Sequence, residues 1–69
     1  MLLAIDMGNT QTALGLFDGD ELVHAWRMPT DRTLTKDELH VRLLGYFHKD
    51  GLDLGCVHAI AFAGVVPQL

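Results

Sequence analysis

The sequence predicts an α/β fold in the order β-β-β-α-β, and three observations lead to it. Strand-like runs between residues 2 and 28 are separated by short turn signals. A helix-capping signal stands at residues 35–38, and an apolar run over residues 57–63 follows the predicted helix. A strand that follows a helix and is apolar at nearly every position favours parallel pairing inside a larger sheet. We therefore expect a three-stranded antiparallel meander, one helix and a parallel fourth strand.

The first three predicted strands cover residues 2–5, 12–17 and 21–28. The first has no charge and no helix or strand breaker, so we expect it to be buried on both faces. Gly8-Asn9 suits a two-residue turn because both residue types tolerate positive φ, and Asp18-Gly19-Asp20 is a second turn signal. In the third strand one face is expected to carry alternate residues, namely Leu22, His24, Trp26 and Met28.

The predicted helix begins at Thr35 and runs to about Lys49. Thr35 and Glu38 match a capping box, and Gly51 is a plausible C-terminal stop. One apolar stripe is formed by Leu39, Leu43, Tyr46 and Phe47. The fourth strand is predicted over residues 57–63, and residues 64–67 are expected to end that strand and enter a new helix with Pro67 near its start.

Composition excludes several classes of protein. The chain has 69 residues, 49% of them hydrophobic, and a net charge of −4, with no basic cluster that would suit nucleic acid. Its one cysteine, Cys56, cannot form an internal disulfide and fits a reducing cytosol. No targeting signal is evident, and no apolar run is long enough to cross a bilayer. We therefore expect a cytoplasmic protein with no nucleic-acid or membrane partner.

The most informative stretch lies between the first two strands and reads Asp6-Met-Gly8-Asn9-Thr10-Gln-Thr12. Asp6 ends an apolar strand, where hydrated Mg²⁺ is one partner that would compensate its charge. A tight turn can direct backbone N–H groups at one anion, and Thr10 and Thr12 would add hydroxyl donors on one face of the next strand, since alternate residues share a face. An ordinary hairpin with Asp6 capping its own turn is the alternative, and it is favoured for the Asp-x-Gly element alone. The full pattern after an apolar strand favours phosphate binding.

This motif resembles the first phosphate motif of the superfamily of actin, hexokinase and heat-shock chaperones, and the rest of the chain resembles the start of type III pantothenate kinases. The residues that carry the narrower resemblance are Leu3 to Thr12, Gly15 to Gly19, Trp26-Arg27, Thr30-Asp31, Thr35, Asp37-Glu38 and Val65-Val66-Pro67. The resemblance implies half of a ribonuclease H-like (actin-like ATPase) domain. It covers nearly the whole chain, and it departs at Phe62-Ala63-Gly64, where the family often has hydroxyl residues.

The resemblance also implies function. Members of the family use ATP to phosphorylate pantothenate to 4'-phosphopantothenate, the first step towards coenzyme A, with Mg²⁺ and a monovalent cation (K⁺ or NH₄⁺), and they act as homodimers. By that resemblance Asp6 holds Mg-ATP through water. The ATP phosphates would be surrounded by Asp6, Met7, Gly8, Asn9, Thr10, Gln11, Thr12 and Ala13. The catalytic base is expected outside this chain, and the isolated chain is expected to be inactive.

Two other classes of function stay open from the sequence. One is a different small-molecule kinase or phosphatase of the same superfamily, and the other is a non-catalytic transcriptional accessory protein that keeps the fold. We expect residues 1–69 to be the N-terminal part of a longer nucleotide-binding domain, since the fourth strand needs cover that one helix cannot give.

Other polar residues are weighed against ordinary structural roles. Cys56 and His58 offer too few ligands for a metal site, so packing or surface exposure is favoured. Trp26 is expected in the core, with His24 half-buried beside it. Arg27 and Arg32 could reach a phosphate or a partner subunit, although solvated arginines are more common.

Overall fold

The computed structural model describes residues 1–64 and contains one four-stranded sheet and one α-helix. The elements are β1 (Leu2–Met7), β2 (Gln11–Asp18), β3 (Glu21–Pro29), α1 (Lys36–Lys49), a short 3-10 helix (Leu54–Cys56) and β4 (Ala59–Gly64). The strand order is β3-β2-β1-β4, with antiparallel pairs β1–β2 and β2–β3 and a parallel pair β1–β4. The predicted α/β class, element order and parallel fourth strand of a ribonuclease H-like half-domain are confirmed.

Helix α1 covers one face of the sheet, and that face forms the core. The fully or nearly buried apolar side chains are Leu3, Ile5, Leu14, Leu16, Trp26, Met28, Leu43 and Phe47. On the opposite face of β1, Leu2 and Asp6 are exposed and Ala4 is half-buried. The expectation that β1 is buried on both faces is therefore wrong for residues 1–64, because α1 lies on one side only.

The predicted capping box starts α1 as expected. The backbone N–H of Glu38 donates to the Thr35 hydroxyl at 3.1 Å, and the Thr35 N–H donates to the Glu38 carboxylate at 3.0 Å. Within the predicted stripe, Leu43 and Phe47 are buried while Leu39 and Tyr46 are partly buried against the core. The helix ends at Lys49, and Gly51 then adopts a φ of 74°, which glycine allows without strain.

A β-bulge in β3 corrects the expected alternation. Leu16 pairs with His24 but Phe17 pairs with Leu22, so Val23 is an extra residue. Such an insertion reverses the face of the residues beyond it. Leu22 is 52% exposed on the uncovered face, where its Cδ1 lies 3.1 Å from the position that a Cβ on Gly15 would occupy. Trp26 and Met28 face the core.

Trp26 connects β3 to the end of α1. Its indole Nε1–H donates to Asp50 Oδ2 at 2.7 Å, and its ring stacks on Phe47 with the centroids 5.0 Å apart. The half-buried ring of His24 also stacks on Trp26, with the centroids 5.8 Å apart. The expectations for Trp26 and His24 are confirmed, and the hydrogen bond satisfies the only polar atom that Trp26 brings into the core.

Strand β4 extends the sheet beyond the edge of α1. It begins at Ala59 rather than at Val57, because the Val57 N–H still donates to the Leu54 carbonyl at the end of the 3-10 helix. Ile60 and Phe62 pair with Leu3 and Ile5, yet they are 53% and 68% exposed since α1 does not reach over them. The helix expected near Pro67 lies outside the described residues. Residues 1–64 contain no helix with the length and apolar character needed to span a membrane.

Candidate functional site

The candidate site is the hairpin segment, which we define as residues 6–13 at the junction of β1 and β2. Asp6 lies near the end of β1, is exposed, and pairs in register with Ala13 on one side and Ala63 on the other. Its carboxylate therefore stands on the face of the sheet that α1 leaves uncovered. Both of its strand neighbours are alanines, so the surroundings of the carboxylate on that face are open.

The turn differs from the predicted one in position and conformation. Met7 pairs with Thr12 and the Gly8 N–H donates to the Gln11 carbonyl at 2.9 Å, so Asn9 and Thr10 form the tip. Among residues 1–64 only Gly19 and Gly51 have positive φ. The expectation of a Gly8-Asn9 turn with positive φ is therefore wrong. Gly8 is needed for space instead, because a Cβ there would lie 2.8 Å from the Gln11 carbonyl oxygen.

Thr30, the residue directly after β3, contacts the hairpin segment at three points. Its hydroxyl donates to the Gly8 carbonyl at 2.9 Å and lies 2.9 Å from the Thr12 hydroxyl. Its backbone N–H donates to the Thr10 carbonyl at 3.0 Å. No role was assigned to Thr30 from the sequence, although a hydroxyl residue directly after a strand that pairs with β2 was a usable signal.

The two threonines of the motif occupy different environments. Thr10 is exposed at the turn before β2, whereas Thr12 is 1% exposed and faces the core side. The expectation that both hydroxyls share one face of β2 is wrong, because Thr10 lies in the turn and Thr12 is oriented by the strand. Thr10 stays accessible to a ligand, and the Thr12 hydroxyl is engaged within the fold.

Two arginines contact amide side chains of the hairpin segment. Arg27 Nη1 lies 3.3 Å from Gln11 Oε1, and Arg32 Nη2 lies 3.4 Å from Asn9 Oδ1. A guanidinium has five N–H donors, so each arginine keeps donors for another acceptor. The sequence favoured solvated roles for both residues. The structure brings both guanidinium groups to the hairpin segment, which has one carboxylate of its own, that of Asp6.

A cleft of about 240 Å³ adjoins the hairpin segment on the α1 side of the sheet. Its lining includes Met7, Thr12, Asp31, Arg32, Lys36 and Phe62. It therefore opens on the core side of β1, while the Asp6 carboxylate lies on the uncovered face.

Metal ligands are sparse in the described part of the chain. Residues 1–64 contain no group of three histidine, cysteine or acidic side chains that could hold a metal ion. Cys56 is a half-buried free thiol and His58 is exposed. The donor set at Asp6 suits a cation that takes one carboxylate and completes its shell with water and phosphate, as Mg²⁺ does.

Together the fold and the hairpin segment define a class: an α/β chain of ribonuclease H-like order with an Asp-x-Gly-Asn-Thr turn between its first two strands. The sequence model of type III pantothenate kinases matches residues 2–69. The chain belongs to the type III pantothenate kinase family.

Individual relatives agree with this assignment. Across the whole chain it is 43% identical to a type III pantothenate kinase of Exiguobacterium sp. and 45% identical to one of Brevibacillus brevis. It is 48% identical to one of Moorella thermoacetica, again over the whole chain. In each case the chain spans 27% of the length of the curated relative.

The Asp31 carboxylate beside the site gives a prediction about pH. The Thr33 hydroxyl donates to Asp31 Oδ1 at 2.6 Å and the Thr33 N–H donates to it at 3.0 Å. These bonds, hydroxyl first, hold the pKa of Asp31 below its ordinary value, and Arg42 adds a smaller effect. A lowered pKa means that the stabilisation is present above the unfolded-state pKa and is lost as pH falls through the folded-state pKa.

We expect Thr33→Val to raise the pKa of Asp31 part of the way to its ordinary value, since the backbone bond remains. Carboxyl-detected NMR titration of the native-length protein measures this. Thr35→Val is the matched control, because the Thr35 hydroxyl caps α1 and does not bond to Asp31. An Asp31 pKa that Thr33→Val leaves unchanged would contradict the assigned cause.

Proposed function

We propose that the native-length protein uses ATP to phosphorylate pantothenate to 4'-phosphopantothenate, the first step of coenzyme A synthesis, and that the hairpin segment binds the ATP phosphates. One observation carries most of the weight: in a member of this family, the Asp-x-Gly-Asn-Thr turn leaves the Asp6 carboxylate and the turn tip exposed at one site. Phosphoryl transfer depends on positioning and on neutralising charge, and these are the roles that the hairpin segment can fill.

Asp6 is the proposed metal-binding residue. Its exposed carboxylate, flanked by Ala13 and Ala63 on the open face, leaves room for a hydrated cation. Mg²⁺ keeps several waters and binds through one or two carboxylates together with phosphate oxygens. When bound, Mg²⁺ would neutralise negative charge on the phosphates, and Asp6 would hold it through water.

The turn tip is the proposed phosphate-binding element. Asn9 and Thr10 are exposed, and their N–H groups enter none of the backbone hydrogen bonds of turns and loops in residues 1–64. The remaining members of the site are Met7, Gly8, Gln11, Thr12 and Ala13, which form the strand ends that present the tip. Arg27 and Arg32 supply positive charge beside it, which favours a polyphosphate electrostatically.

Further parts of the activity are proposed from membership of the family. We expect a monovalent cation, K⁺ or NH₄⁺, a homodimer and a cytoplasmic location. The catalytic base and the pantothenate contacts are expected from sequence outside this chain. A hairpin alone positions only the phosphates, so we expect residues 1–69 by themselves to show no turnover.

The direct test is ADP release by the native-length protein in potassium buffer, with and without pantothenate. We expect release that requires both Mg²⁺ and pantothenate. ATP turnover that is indifferent to pantothenate would indicate another acceptor within the superfamily. No turnover under any of these conditions would favour a non-catalytic accessory protein.

Asp6→Asn tests the metal role. The substitution keeps the size of the side chain and removes its charge, so we expect activity with Mg-ATP to fall about 10- to 100-fold. Asp20→Asn is the matched control, because Asp20 is an exposed acid in the turn between β2 and β3. Steady-state rates at several Mg²⁺ concentrations would distinguish Asp6→Asn from Asp20→Asn. Equal activity of the Asp6 variant and the wild type would exclude Asp6 as a metal-binding residue.

A further inference from the structure

We infer that Thr30 is a positioning residue for ATP: it contacts no phosphate itself, and it sets the direction in which the hairpin segment presents its backbone N–H groups. The inference rests on the proposed function, because it concerns the same phosphate site. It adds a residue from a different strand end, 18 positions beyond Thr12 in the chain. Three hydrogen bonds carry it, all within ordinary hydrogen-bond length.

The direction of the hydroxyl hydrogen bonds follows from counting protons. A threonine hydroxyl has one hydrogen, and the Gly8 carbonyl can only accept. The Thr30 hydroxyl therefore donates to Gly8, at 2.9 Å. The contact of 2.9 Å with the Thr12 hydroxyl must then run the other way, with Thr12 donating to Thr30. Both hydroxyl hydrogens are used inside the fold, so the Thr12 hydroxyl has no proton left for a phosphate.

The carbonyl bonds fix two peptide units of the turn. A peptide unit is planar and trans, so its C=O and N–H point in opposite directions. The carbonyl of Gly8 points at the Thr30 hydroxyl, and the N–H of the same unit, which belongs to Asn9, points away from it. The carbonyl of Thr10 points at the Thr30 N–H, so the N–H of Gln11 points away from Thr30 as well. Thr30 thus binds two carbonyl groups of the turn. As a result the N–H groups of Asn9 and Gln11 are oriented away from Thr30.

Thr30 follows a strand that is packed tightly against the core. Trp26 and Met28, on the strand that Thr30 follows, are 7% and 5% exposed, and Trp26 is bonded to Asp50. Thr12 is 1% exposed and Thr30 is half-buried, so the bond between them is partly shielded from water. Leaving a buried polar group without a hydrogen-bond partner costs free energy. Removal of the Thr30 hydroxyl is therefore expected to shift the neighbouring backbone. Groups that position a ligand work best on supports of this kind.

The test compares three variants of the native-length protein. Thr30→Val keeps the shape and removes the hydroxyl, Thr30→Ser keeps the hydroxyl, and Thr33→Val makes the same change three residues away, where the hydroxyl bonds only to Asp31. We expect Thr30→Val to raise KM for ATP about tenfold, as the loss of one or two such bonds implies, with KM for pantothenate unchanged. Thr30→Ser should remain within about twofold of the wild type because it keeps the hydroxyl. Thr33→Val should do the same, because Thr33 is exposed and its hydroxyl does not contact the hairpin segment.

A second variant covers the possibility that Thr30→Val does not fold. Thr12→Val removes only the donor to Thr30 and leaves the bond from Thr30 to Gly8, so by itself it should raise KM for ATP by less than the rise expected of Thr30→Val. Where both variants fold, their effects should not add, because both act through one chain of hydrogen bonds. Thermal melting measures folding separately in each variant. A lower melting temperature with an unchanged KM for ATP would overturn the inference, since Thr30 would then be purely structural. An inactive wild type would instead refute the proposed function, and the inference with it.

Discussion

The hydrogen bonds between Thr30 and the hairpin segment are the contacts on which the geometry of the site depends. Strand β2 lies between β1 and β3, so its antiparallel partners bring Thr30 to the turn that joins β1 and β2. The β3 strand is in turn held by Trp26, whose indole is bonded to Asp50 at the end of α1. The turn tip is therefore linked through the sheet to the helix, and the exposed residues Asn9 and Thr10 stand on a fixed support.

The sheet separates structural from functional groups by face. On the α1 side lie the apolar core and the buried Thr12 hydroxyl, and on the uncovered side lies the Asp6 carboxylate between two alanines. A period of two along each strand makes this possible, because neighbouring residues face opposite sides. Thus a run as short as residues 5–8 can supply a core side chain, a carboxylate and a glycine that allows close backbone approach.

The sequence was informative where a local rule decides the outcome. Thr35 and Glu38 predicted the start of α1 because a capping box needs only residues close in the chain. Asp18-Gly19 predicted the β2–β3 turn, and Gly19 does adopt positive φ, at 62°. The family resemblance through Asp6 and Gly8 was confirmed by the match over residues 2–69.

Features that depend on pairing between strands could not be read from the sequence. The bulge at Val23 reverses Leu22 by a register shift that no single strand reveals, and the turn tip moved to Asn9-Thr10 because Gly8 pairs with Gln11. Thr30 entered the sequence analysis through the family resemblance, but its hydroxyl contacts depend on the same pairing, since the partners are 18 and 22 residues away. The exposure of β4 follows from where α1 packs on the sheet, and the sequence of either element alone does not show this.

The most direct test of the central claim is a crystal structure of the native-length protein with Mg²⁺ and a non-hydrolysable ATP analogue. We expect phosphate oxygens about 3 Å from the backbone nitrogen of Asn9, a Mg²⁺ whose water contacts Asp6, and an unbroken bond from Thr30 to the Gly8 carbonyl. A nucleotide bound elsewhere, with the tip of the hairpin segment free of phosphate, would contradict the claim.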